Sequence, residues 1–113
     1  MIKVTIWNEF VQEQLCEETL EKFGFEGMPE NEKKRNFART EEIKKVHPHG
    51  IHQTLKELIE EDEEFKVCHI ATLEMEECGL TEEVLDDTDV LVWWSHIAQD
   101  KVPDEIARRV QDY

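Results

Sequence analysis

The chain has 113 residues, room for one domain, with 39% apolar and 36% charged residues and a formal net charge of −15. That charge repels a phosphate backbone and anionic lipid headgroups, so neither nucleic acid nor a membrane surface is an expected partner. The longest apolar run, Val90 to Trp94, is far too short to cross a bilayer, and Cys16, Cys68 and Cys78, lacking CxxC spacing, suit free thiols in a reducing compartment.

The N-terminus enters a strand at once: Ile2, Val4 and Ile6 alternate with Lys3, Thr5 and Trp7 before Asn8 and Glu9 end the run. With no signal-peptide pattern, a cytoplasmic location is expected. Residues 11–46 read as a charged helical insertion. Val11, Leu15, Thr19, Leu20 and Phe23 fall on one helical face that stops at Gly24, and the crowded charges of Glu30 to Val46 suit a solvated helix or an excursion above the sheet. After His47-Pro48-His49-Gly50, the spacing of Ile51, Leu55, Leu58 and Ile59 predicts an amphipathic helix, and Phe65 to Leu73 a second strand.

Thr81 is placed to cap a short helix whose first turn carries Glu82 and Glu83, with Leu80 and Leu85 packed together. Val90-Leu91-Val92-Trp93-Trp94 is apolar without alternation, the pattern of a parallel strand covered on both faces. A last helix follows Pro103, with Ile106, Ala107 and Val110 as its buried stripe. The alternation of strands and helices predicts a flavodoxin-like, doubly wound α/β fold, with a parallel sheet in three α/β/α layers. Ligands of such sheets bind beyond the carboxyl ends of the strands, which directs attention to Trp7–Phe10, Thr72–Glu77 and Trp94–Lys101.

Three stretches carry a family resemblance. They are Val4-Thr5-Ile6-Trp7-Asn8-Glu9-Phe10, His47-Pro48-His49-Gly50-Ile51-His52, and the long block from Gly79 through Trp93-Trp94-Ser95-His96 to Ala98. Together they resemble the trehalose-utilisation (ThuA-like) family within the class I glutamine amidotransferase-like superfamily. The chain departs from the family pattern at His47, where a tyrosine is usual, and at Gln99, where a second histidine is usual. Family members continue past this point into a His-Ser-Gly-His-like turn at the nucleophile elbow, so residues 1–113 correspond to the N-terminal part of a ThuA-like domain, incomplete at its C-terminus. Glutamine amidotransferase activity is not expected.

The resemblance implies a protein of carbohydrate metabolism, handling trehalose or a related disaccharide or oxidised sugar, as a hydrolase or isomerase if it is an enzyme. The alternatives are a non-catalytic ligand- or partner-binding module and a truncated gene fragment. His96, Glu9 and Asp100 are the expected catalytic set: His96 to shuttle a proton, Glu9 to act as a base, and Asp100 to orient the histidine. Asn8, Trp7, Trp94 and His52 are the expected substrate contacts, although alternation sends Trp93 and Trp94 to opposite sides, leaving one of them to the core. If a metal is used, His52 and His96 would ligate a divalent ion such as zinc. A small-molecule sugar, a second copy of the chain and a complementing C-terminal polypeptide are the expected partners.

Overall fold

The computed structural model describes residues 1–113. Three strands, β1 (Ile2–Asn8), β2 (Phe65–Thr72) and β3 (Val90–Trp94), form a parallel sheet in the order β2-β1-β3. The four α-helices are α1 (Glu30–Val46), α2 (Ile51–Ile59), α3 (Glu82–Asp86) and α4 (Asp104–Asp112). The expected α/β architecture is therefore present, with β1 at the centre.

Strand alternation explains the layering. Val4 and Ile6 leave one face of β1 and pack with Val67, where Leu55 and Ile59 of α2 cover them. Trp7 leaves the other face into a cluster with Ala71, Leu80, Leu85 of α3 and Ile106 of α4. Helices thus flank both faces, and none is long and apolar enough to cross a membrane. Thr81 accepts a hydrogen bond from the Val84 amide, the cap expected of it. Lys3, His69 and Asp87 tie β1 and β2 to the loop before β3; the Lys3 hydrogen bond, with His69 behind it, holds the Asp87 carboxyl below its ordinary value.

Two expectations are corrected. The segment after β1 is not an α-helix: it makes two 3-10 turns, Gln12–Gln14 and Glu17–Thr19, broken by extended backbone at Leu15 and Cys16. Its apolar residues nonetheless reach the core, because Val11, Leu15, Leu20 and Phe23 close around Ala98. Tertiary burial selected the same side chains without the helical path. Second, β3 is not covered on both faces. It is an edge strand: α2 stops over β1 and β2 and leaves Val90 and Trp94 43% and 42% exposed on one face, while Trp93 on the other face stays 39% exposed. Similarly, Leu58 and Ala107, expected in buried stripes, are exposed.

The charged segment Glu30–Val46 is a solvated helix with one buried residue, Thr40. Thr40 Oγ1 lies 2.7 Å from the Gln12 carbonyl and accepts from Gln12 Nε2 at 3.0 Å, which seats α1 on the first 3-10 turn.

Candidate functional site

In a doubly wound sheet the crevice opens where successive crossovers leave on opposite faces. Here β1 connects to β2 through α2 on one face, and β2 connects to β3 through α3 on the other. The carboxyl ends of β1 and β3 therefore mark the switch point, and Asn8 pairs in register with Trp94, although none of the surface cavities is lined by Asn8, His52, Trp94 or His96. Register partners project to the same side, so Asn8 and Trp94 both stand on the α2 face, while Trp7 and Trp93 stack at 4.0 Å on the opposite one.

Glu9 follows Asn8 and is 1% exposed. Its carboxylate accepts hydrogen bonds from Ser95 Oγ (2.8 Å), the Ile97 amide (2.8 Å) and the Ala98 amide (3.0 Å), and its own amide donates to the Trp94 carbonyl. These donors lie in the loop after β3, so Glu9 is the clamp that folds that loop back over β1. A carboxylate saturated in this way is poorly placed to serve as a general base.

Asn8 makes a second node. Its Nδ2 donates to Glu13 Oε2 at 2.7 Å and lies 3.1 Å from His52 Nδ1, while its Oδ1 accepts from the Phe10 amide. Glu13 is 5% exposed and also accepts from the Ile51 amide at 3.2 Å, holding the first residue of α2; its Oε1 has no partner. Burial lowers the His52 pKa from its ordinary 6.5, with the Glu13 charge opposing. Gly50 shapes the seat of the ring: at φ 94° it adopts a backbone favouring glycine, and a Cβ there would fall 2.7 Å from His52 Cε1. Phe10, itself at φ 55°, packs edge-on against the ring at 5.0 Å.

The expected residues thus separate. Asn8 and His52 meet directly, and Trp94 stands beside Asn8 and stacks on His96 at 6.4 Å. Trp7 is corrected to a core residue: it is 0% exposed, and its Nε1 donates to the Cys78 carbonyl. Asp100 is exposed in a 3-10 turn and makes no hydrogen bond to His96, which is also exposed. Burial pushes the Cys78 thiol up, away from thiolate chemistry.

No group of three or more His, Cys, Asp or Glu side chains is placed to hold a metal ion. His52 and His96 do not assemble into the three- or four-ligand set zinc requires. Glu13 is not legible in the sequence: a glutamate five residues past a strand-end asparagine carries no signal until the 3-10 turn brings the two together.

No protein-family model matches the chain, and no curated protein matches it either.

Proposed function

We propose that this chain is a ThuA-like protein of carbohydrate metabolism, cytoplasmic, which binds a sugar or oxidised sugar over the carboxyl edge of its sheet. The observation supporting this most is that His52, held by the buried Asn8, lies at the same strand end as the half-exposed indole of Trp94, which neighbours Asn8 in register. Aromatic faces pack on the apolar faces of sugar rings, while a few convergent polar groups fix orientation. His96, stacked on Trp94, would border the same ligand. Glu9 contributes by positioning the loop that carries His96.

Calorimetric titration with trehalose and with a keto-disaccharide tests the reading. Saturable binding is expected, weakened about tenfold or more in Trp94→Ala and His52→Ala, as for loss of a buried contact. Absence of binding, or equal affinity in both variants, removes it.

A second reading, a non-catalytic partner-binding module, is favoured by the uncovered strip of β3. Val90 and Val92 line an apolar groove of about 320 Å³ with Leu58, Ile59 and Phe65, beside an unpaired strand edge. Asp62 lines the groove, and Glu57, Glu60, Glu61, Glu63, Glu64 and Asp89 adjoin its lining residues against only Lys3 and Lys66, so the matching occupant is an apolar segment with basic flanks rather than a second acidic copy. Two peptides sharing one apolar stripe, one lysine-flanked and one glutamate-flanked, would separate the cases. Binding of the lysine peptide alone supports this reading; equal binding of both, or dimerisation of the protein in light scattering, sets it aside.

A further inference from the structure

We propose that Asn8, locked by Glu13 and the Phe10 amide, holds His52 in the neutral tautomer protonated at Nε2, so that His52 meets its ligand as a hydrogen-bond donor and not as a metal ligand. The ligand half of this inference rests on the sugar-site reading above; the tautomer half does not.

The assignment follows from which atoms can only donate and which can only accept. The Phe10 backbone N–H can only donate, so the Asn8 atom 3.1 Å from it is the carbonyl oxygen. The amide nitrogen then lies on the other side, where Glu13 Oε2, an acceptor, takes one of its hydrogens at 2.7 Å. Two independent partners therefore agree on the orientation of the Asn8 amide. Its remaining N–H faces His52 Nδ1 at 3.1 Å, which must present a lone pair. A neutral imidazole with a lone pair on Nδ1 carries its proton on Nε2, and Nε2 has no partner within the protein. A charged imidazolium would set N–H against N–H, and burial of the ring opposes that charge as well.

Metal-bound histidines have the reverse polarity. Their second ring nitrogen donates to a carboxylate, carbonyl or water, freeing the other lone pair for the metal. Here the second nitrogen accepts. Glu13 also bonds the Ile51 amide, so one carboxylate orients the asparagine and anchors the helix that carries the histidine. Glu13 and Asn8 are positioning residues, and the group they prepare is a donor aimed at an acceptor oxygen. Beside a buried carboxylate in a chain of net charge −15, an uncharged hydroxyl, ether or keto oxygen suits that donor better than an anion.

Long-range proton–nitrogen NMR of the whole chain at neutral pH tests this, with His52 identified by the signals lost in His52→Gln. The expected spectrum has Nδ1 unprotonated and Nε2 protonated, unchanged by added zinc. In the double variant Asn8→Asp, Glu13→Gln the groups facing position 8 and His52 exchange donor for acceptor, at the cost of the acceptor now used by the Ile51 amide, and the proton is expected on Nδ1. A wild-type proton on Nδ1, zinc displacing the Nε2 proton, or the same tautomer pattern in both proteins would overturn the assignment. If the double variant does not fold, the wild-type spectrum and its zinc titration still decide. Sugar that binds without perturbing the Nε2 signal removes the ligand half alone, whereas failure of every sugar to bind removes the earlier functional reading and leaves the tautomer standing.

Discussion

Glu9 and Glu13 are both buried, four residues apart, and are bonded in opposite ways. Glu9 takes three donors from a loop 86 to 89 residues away and engages both of its oxygens in them. Glu13 takes two donors on one oxygen, leaves the other without a partner, and passes its influence through Asn8 to His52. A buried polar group that is fully satisfied stabilises one structure; a half-satisfied one costs stability and is the better candidate for a functional role. The same carboxylate side chain thus serves as a staple in one place and as an orienting group in the other.

That contrast can be broken by mutation. Glu9→Ala should cost the most, about 3–4 kcal/mol in urea unfolding, because it strands the buried Ala98 amide and releases the loop after β3. Glu13→Gln should cost only about 1 kcal/mol, since the new amide keeps an acceptor for Ile51 and replaces an oxygen that has no partner. Equal costs for the two positions would erase the distinction drawn between them.

Acid sharpens it further. The folded-state pKa of His52 lies below its ordinary 6.5, chiefly through burial, so on acidification the unfolded chain takes up that proton first. The resulting stability is complete above the unfolded value and is lost as pH falls from 6.5 toward the lower folded value. Urea midpoints measured from about pH 7.5 to about pH 5 should show this loss in the wild type and less of it in His52→Gln. Identical slopes would mean that burial does not hold the His52 pKa down in the folded chain. The smallest effect belongs to the open strip: Val90→Lys should change stability by under about 0.5 kcal/mol while abolishing binding of a lysine-flanked peptide. A larger stability loss would mean that the strip is core and not an interaction surface.

Much of the fold is legible from side-chain pattern. The β-branched run of β1, the Thr81 cap, the Leu55 and Ile59 positions of α2 and the chain's strand–helix alternation are local signals that survive into the structure. The stretch after β1 departs from its local pattern for the opposite reason. Its apolar spacing suits a helix, but the core contact with Ala98 and the Thr40–Gln12 bonds reward a different path. Likewise, an unbroken apolar run marks β3 as a strand but cannot say that the strand lies at an edge.

The candidate site divides in the same way. Asn8, His52, Trp94 and His96 are visible as chemistry-bearing residues near predicted strand ends and a helix start, and strand alternation alone separates Trp93 from Trp94. The partners that give them roles are not visible. Ser95, Ile97 and Ala98 reach Glu9, and Ile51 reaches Glu13, only after the sheet has closed. The sequence by itself determined which segments become strands and helices, because hydrophobic period and capping act over a few residues. The tertiary structure alone decided which carboxylate is a clamp and which nitrogen of His52 carries the proton, because hydrogen-bond polarity is settled by neighbours that the linear order holds far apart.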